Sequence, residues 1–131
     1  MAITPKHVYG WKMEQALRPY IEEYLDDHVY NHTYRYDTVD MESSVFDIEL
    51  KARPVYSSLA FDRWMVPKCK FTSGLTDVKN KPLLVFYYWA KDETLWDYTH
   101  VPGAEADWEV ILNENNQETY LIPRHLFTKV F

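Results

Sequence analysis

The chain has 131 residues, 47% hydrophobic and 26% charged, which is the size and balance of one globular domain spanning 1–131. Its formal net charge of −6 argues against a protein that coats nucleic acid through bulk electrostatics, because such proteins cluster Lys and Arg on phosphates. Three glycines and one cysteine exclude a glycine-rich phosphate loop, a disulfide framework and a paired-cysteine zinc site.

The start of the chain and its apolar runs bear on localisation. The segment MAITPKHVYGW lacks the long apolar stretch of a secretory signal. No apolar run approaches the length needed to cross a bilayer. We therefore expect a soluble, cytoplasmic protein without a membrane partner.

Residues 8–28 predict an N-terminal helix, because apolar residues recur there every three or four positions with acidic residues opposite. Pro19 lies inside this segment and removes a helix hydrogen bond, so the segment is either one bent helix or two short helices. The apolar positions are Val8, Trp11, Leu17, Ile21, Tyr24 and Leu25.

The residue pattern repeats every two positions in residues 34–39 and again in 45–53. This alternation predicts two strands joined as a hairpin. We place a two-residue turn at Ser43 and Ser44. The following residues, 56–77, are mixed, with a short helix or loop before Pro67 and a second after it.

The C-terminal half predicts further strands. Residues 82–90, PLLVFYYWA, form a continuous β-branched and aromatic run, as in a strand buried on both faces, and 94–101 predict its neighbour. Residues 108–113 and 119–127 predict a last hairpin with a turn at 114–116. Pro123 limits its second strand to a sheet edge or to an early stop.

The chemistry-bearing feature is the strand VFDIELKAR. Glu49 and Lys51 are two residues apart and project from one face, joined there by Asp47, while Ile48 and Leu50 project from the other. An acid and a base thus share a face whose reverse is apolar. Without a functional role, such a pair is a solvated strand face with a cross-strand ion pair.

A turn at Ser43 and Ser44 puts residue 38 opposite 49 and residue 36 opposite 51, so Asp37 lies next to Glu49 along the ladder. Strict pairing directs Asp37 to the other face, which a bulge or a longer turn would correct. Asp40, opposite Asp47 in this register, is the competing acid. Mg²⁺ or Mn²⁺ between two such carboxylates removes their repulsion, and a nearby lysine can orient the attacking water in phosphodiester hydrolysis.

These residues resemble the PD-(D/E)XK nuclease superfamily, whose core is a helix, a hairpin bearing an acid and then a (D/E)-x-K tripeptide, a second helix and further strands. The matching features are the helix with Glu14, the acid Asp37, the tripeptide Glu49-Leu50-Lys51 and the strand 82–90, within about residues 8–101. The resemblance implies an α/β fold with a restriction-endonuclease-like core: a mixed central β-sheet flanked by helices. The sequence departs from the family in having Tyr36, rather than proline, before Asp37.

The resemblance also implies auxiliary residues. Resolvase-like members carry an acid in the first helix, which Glu14 matches, with Glu22 and Glu23 as alternatives. The stretch RWMVPKCKF looks like the segment after the tripeptide in phage-type members, where a lysine after Met-x-Pro points toward the site; Lys70 matches it.

Two functions follow as hypotheses. The first is a Mg²⁺- or Mn²⁺-dependent DNA endonuclease of phage type, with Asp37 and Glu49 as metal ligands, structure-selective for junctions or branched DNA, and a homodimer as in other small nucleases. Its compartment would then be the host cytoplasm. The second is a catalytically inactive nuclease-like fold that serves as a protein- or nucleic-acid-binding module.

Overall fold

A computed structural model of the chain describes residues 5–31, 41–72 and 81–131. These residues form a mixed α/β protein with few helices, and two 3₁₀ turns complete the regular structure at Ala104–Asp107 and Arg124–Leu126. The helices are α1 (Pro5–Leu25) and α2 (Cys69–Thr72); the strands are β1 (Tyr30–Asn31), β2 (Met41–Glu42), β3 (Asp47–Arg53), β4 (Arg63–Pro67), β5 (Leu83–Trp89), β6 (Thr94–Thr99), β7 (Glu109–Leu112), β8 (Glu118–Pro123) and β9 (Thr128–Lys129).

The N-terminal helix α1 runs through Pro19 as one element, which settles the choice between one helix and two. Pro19 is exposed, so its ring lies on the solvent side of the helix. Leu17 and Ile21 are buried as predicted, but Trp11 and Tyr24 are 55% and 45% exposed. The buried stripe of α1 is therefore narrower than its apolar periodicity predicts.

The larger sheet has six strands in the order β1-β2-β3-β5-β6-β9. Strand β3 pairs in parallel with β5 from Asp47 opposite Leu83 to Arg53 opposite Trp89, and the other pairs are antiparallel. The strands predicted within 45–53 and 82–90 are confirmed, and every residue of β5 except Tyr88 is buried. A parallel pair fits that burial, because parallel strands are usually covered on both faces.

The smaller sheet has three strands in the order β4-β8-β7. The last hairpin is confirmed as β7 and β8, and Pro123 ends β8, which is the early stop rather than the edge position. Strand β4 was not predicted. Its residues alternate between exposed and buried from Arg63 to Val66, with Trp64 and Val66 inward, but Pro67 at its end makes the stretch a poor strand pattern in the sequence.

The six-stranded sheet separates two hydrophobic cores. We call them the helix-side core, where α1 packs on the sheet, and the sheet-side core, between the two sheets. The helix-side core contains Leu17, Ile21, Val29, Met41, Ile48, Leu50, Leu84, Phe86 and Leu95. The sheet-side core contains Trp64, Val66, Leu83, Val85, Tyr87, Trp89, Tyr98, Tyr120, Ile122 and Phe127.

The arrangement of layers differs from the expected one. The resemblance implies a central sheet flanked by helices, but in the described residues α1 covers one face, and the three-stranded sheet with the four-residue α2 covers the other. The physical reason is the inward Trp64 and Val66, which supply from a strand the apolar surface that a second helix would otherwise supply.

The turn between β2 and β3 is also displaced by one residue. The Ser43 amide donates to the Phe46 carbonyl at 2.9 Å, so the two turn residues are Ser44 and Val45. Asp27, just after α1, fixes this position by accepting hydrogen bonds from the amide and the hydroxyl of Ser44. The predicted register is therefore wrong by two positions, and Glu42, rather than Asp40, lies opposite Asp47.

Candidate functional site

Glu49 occupies the middle of β3 on the sheet-side face. It is only 1% exposed, and Val85 of β5 is its register partner. Its neighbours Ile48 and Leu50 project into the helix-side core, as the alternation of the strand predicts. Asp47, 4% exposed, shares the face of Glu49, which confirms the predicted placement of these two acids on one side of the sheet.

Two lysines from different parts of the chain meet at the Glu49 carboxylate. Lys51 Nζ lies 3.4 Å from Glu49 Oε1, and Lys70 Nζ lies 3.4 Å from Glu49 Oε2. The lysine side chains are 21% and 19% exposed, whereas the Glu49 side chain is 2% exposed. The carboxylate is thus buried while both ammonium groups retain access to solvent.

The position of Lys70 follows from the way α2 is anchored. The Lys68 amide donates to the Glu118 carbonyl at 2.9 Å, which ties the start of α2 to β8. Phe71 packs edge-on against Tyr120 and Trp108, with ring centroids 5.2 and 5.8 Å apart. This packing fixes α2 beside the sheet-side core, with Lys70 at Glu49.

A second ion pair lies at the start of β3. Lys81 Nζ donates to Glu42 Oε2 at 2.6 Å and to the Ser43 carbonyl at 2.7 Å. Burial alone lowers the pKa of Lys81, but the hydrogen bond and the charge of Glu42, with a contribution from Asp47, outweigh it, so the pKa is raised. Lys81 therefore stays an ammonium beside two carboxylates.

Sequence reasoning missed Lys81 and Glu42. In the sequence, Lys81 simply precedes the predicted strand 82–90, and Glu42 simply precedes the predicted turn at Ser43 and Ser44. The parallel pairing brings them together, because Asp47 starts β3 opposite Leu83 at the start of β5. The signal available in the sequence is a lysine directly before a buried strand, which carries little information without that pairing.

The remaining predicted residues lie either outside the described part of the chain or elsewhere in the fold. Asp37 and Asp40 lie outside the described residues. Glu14 belongs to α1, which packs on the opposite face of the sheet from Glu49. Of the alternatives, Glu22 Oε2 accepts hydrogen bonds from the Val29 amide and from His28 near the end of α1, and the Val29 bond chiefly lowers its pKa.

The residues present fit part of a magnesium or manganese site. In residues 5–31, 41–72 and 81–131 no group of three or more His, Cys, Asp or Glu could hold a metal ion. Mg²⁺, however, is usually held by one or two carboxylates together with water. Among the described residues, the buried carboxylate of Glu49 supplies hard oxygens of the kind that Mg²⁺ takes.

Comparisons with protein-family models, with curated proteins and with solved structures give no match to this chain. In the part of the chain that the structure describes, no helix is long and apolar enough to cross a bilayer. The site's own geometry therefore carries the functional argument.

Proposed function

We propose that this chain is a metal-dependent DNA endonuclease that hydrolyses phosphodiester bonds, and that its α/β fold is a variant of the restriction-endonuclease-like core. The observation that carries the proposal is the meeting of Lys51 and Lys70 at the buried carboxylate of Glu49. A Glu-x-Lys strand is a part that this nuclease chemistry requires, and Lys70, from the segment after β4, matches the auxiliary lysine of phage-type members.

The topology supports the same proposal. The helix α1 packs on one face of a mixed sheet, and β3, which bears the tripeptide, runs parallel to the buried β5. Helix, hairpin, tripeptide strand and buried parallel strand come in the order of a PD-(D/E)XK core. The three-stranded sheet on the other face is a departure from that core.

In this proposal Glu49 and Asp37, the acids that the family resemblance implies, would hold Mg²⁺ or Mn²⁺. When bound, the ion would lower the pKa of the water that it holds and would neutralise charge on the scissile phosphate. Lys51 positions the attacking water by hydrogen bonding, and Lys70 places a second positive charge at the phosphate oxygens. Glu14, on the other side of the sheet, has at most an indirect part.

Local charge explains how an acidic chain can accept a phosphate. The net charge of the chain is −6, but Glu49 with Lys51 and Lys70 sums to +1. The attraction of a phosphate to the protein depends on the charges near its binding site more than on the net charge of the chain. Salt largely screens exposed charges that lie more than about 10 Å away. Asp47 on the same face offsets that +1, so in this proposal the bound divalent cation would supply the remaining positive charge for the phosphate.

One observation favours the second candidate, an inactive nuclease-like fold that binds a protein or nucleic acid. Both oxygens of Glu49 face an ammonium group, and the carboxylate is almost completely buried. A structural ion cluster has the same appearance. Metal binding is the property that separates the two candidates, because only the nuclease requires it.

The test is cleavage of plasmid, linear and four-way-junction DNA with Mg²⁺ or Mn²⁺, run beside EDTA. Glu49→Gln and Lys51→Met are compared with Glu118→Gln, which removes the acid of an exposed ion pair with Lys68 whose N–O distance, 3.5 Å, is similar. We expect Glu49→Gln and Lys51→Met to lose about 100-fold or more in cleavage rate, and Glu118→Gln to keep its activity.

Lys70→Met is expected to lose less than Lys51→Met, because Lys70 is an auxiliary charge in this mechanism. Cutting that survives Glu49→Gln in a folded protein would contradict the proposed site. If no DNA is cut and calorimetry detects no binding of Mn²⁺, the nuclease proposal fails and the binding module takes its place.

A further inference from the structure

The two sheets differ in how their edges are protected. An edge strand presents unpaired N–H and C=O groups that can template pairing with another chain, and very short edge strands limit this. The six-stranded sheet ends in β1 and β9, which have two residues each. In the described residues the longer edges belong to the three-stranded sheet, at β4 and β7.

The β4 edge is blocked by its own chain. Pro67 has no N–H to offer, and the Met65 carbonyl accepts a hydrogen bond from the Tyr87 hydroxyl at 2.8 Å. The outer edge of β4 therefore lacks an amide at Pro67 and has its Met65 carbonyl already bonded.

Among the described residues, nothing comparable protects the β7 edge. Its sequence, Glu-Val-Ile-Leu, contains no proline and no lysine, and Val110 and Leu112 are 42% and 64% exposed. Both apolar side chains project from one face of the strand, because they are two residues apart. This is an apolar, four-residue edge.

The direction of the backbone groups of β7 follows from its pairing with β8. The Asn113 amide donates to the Gln117 carbonyl at 3.0 Å, so position 113 is a hydrogen-bonded position of the hairpin. Hydrogen-bonded and non-bonded pairs alternate in an antiparallel ladder, so Ile111 and Glu109 also bond to β8. The N–H and C=O groups of Val110 and Leu112 therefore point outward from the sheet.

We propose that β7 is a homodimer interface, in which a second copy of this chain adds its own β7 antiparallel to form a continuous six-stranded sheet. The two-fold axis passes between the Ile111 residues of the two copies. Val110 of each copy then lies opposite Leu112 of the other, and these are the residues whose backbone groups point outward. This register pairs apolar side chains and forms hydrogen bonds at the same positions.

Charge favours this register over its neighbour. With the axis at Ile111, Glu109 lies opposite Asn113 of the second copy, and the two Glu109 residues stay far apart. With the axis at Val110, they would be two positions closer to one another, and like charges near each other across strands are destabilising. Glu109 is moreover already paired with Arg63 across its own sheet.

The experiment is sedimentation equilibrium of the full chain over a range of concentrations. We expect a reversible dimer in the parent protein and a dissociation constant raised about tenfold or more in Val110→Lys and in Leu112→Lys, since an edge lysine opposes pairing. Val55→Lys is the matched control, because Val55 is 67% exposed in a loop away from β7. It should leave the dissociation constant unchanged.

Amide hydrogen exchange supplies a readout specific to the strand. The amides of Val110 and Leu112 should become protected as the protein concentration rises, while those of Glu109 and Ile111 are protected at every concentration. A protein that stays monomeric at the highest concentration reached would overturn the proposal. So would a dimer that is insensitive to both lysine substitutions.

Discussion

The helix-side core and the sheet-side core lie on opposite faces of one sheet and differ in chemistry. The helix-side core is mainly aliphatic, whereas aromatic rings make up most of the sheet-side core. Several of these rings carry polar tips with partners: the Trp64 indole N–H donates to the Phe61 carbonyl at 3.2 Å, and the Tyr87 hydroxyl donates to the Met65 carbonyl. An aromatic core of this kind brings hydrogen-bonding groups with it.

The buried acids follow that difference. Of the residues that the structure describes, Asp47 and Glu49 are the buried carboxylates, and both project to the sheet side. A buried charge is costly unless it is paired, so it needs a covering layer that can supply partners. The segment from β4 to α2 supplies Lys70 to Glu49. On the helix side the partly buried acid is Asp97 of β6, and α1 supplies it with a neutral partner, the hydroxyl of Tyr24, rather than a lysine.

The largest effect is expected from breaking the sheet-side core at Trp64. This side chain is 1% exposed and contacts Tyr87, Trp89 and Phe127, with ring centroids 5.2, 5.0 and 4.6 Å away. Trp64→Ala should lower the free energy of unfolding by about 3–5 kcal/mol. Urea unfolding measures this, and Ile48→Val, expected to cost about 0.5–1.5 kcal/mol, is the mild comparator from the helix-side core.

A Trp64→Ala protein that loses less than Ile48→Val would show that the aromatic layer does not hold the two sheets together. The contribution of the other rings would then be tested one at a time, beginning with Trp89, which is also buried.

The next effect concerns the charge itself. Glu49→Gln leaves Lys51 and Lys70 near each other without their shared counter-charge, and should cost about 1–3 kcal/mol in urea unfolding. The cost stays below that of a fully buried pair because both lysines reach solvent. Adding Lys70→Met to Glu49→Gln should recover part of the loss, since it removes one of the two repelling charges.

Equal stability of Glu49→Gln and the parent protein would mean that the ion cluster contributes nothing to folding. That outcome would strengthen the case that Glu49 serves a metal, because stability would then give no reason for the buried acid.

The sequence predicts a strand where polar and apolar residues alternate or where apolar residues form a continuous run. The pattern of β3 placed Glu49 and Lys51 on one face, and the apolar run of β5 indicated burial on both. The register between β2 and β3 could not be predicted, because Asp27 sets it from a distant part of the chain. Residues adjacent in sequence thus gave the faces, but a long-range hydrogen bond determined the pairing.

The candidate site divides in the same way. Lys51 follows from the strand period, and Lys70 came only from the family resemblance, since the chain between them folds through β4. Lys81 and Glu42 depend on the parallel pairing of β3 with β5, which no local pattern indicates. Local periodicity therefore predicts which residues share a strand face, while packing decides which residues from other segments join them.

The smallest effect is a pH dependence at the rim of the sheet-side core. His100 Nε2 lies 3.1 Å from Glu105 Oε2, its Nδ1 lies 3.2 Å from the Tyr98 hydroxyl, and the side chain is 9% exposed. Burial lowers the pKa of His100 below its ordinary value of 6.5, and the charge and hydrogen bond of Glu105 only partly oppose this.

Because the folded pKa is the lower one, the unfolded chain binds more protons between that pKa and 6.5. The contribution of neutral His100 to stability is therefore complete above pH 6.5 and is lost as the pH falls through that window. Urea midpoints measured from pH 8 down to pH 5 should fall less in His100→Phe than in the parent protein. Glu105→Gln, which removes the opposing carboxylate, should make the fall steeper; an unchanged slope in both variants would show that other groups control the acid side.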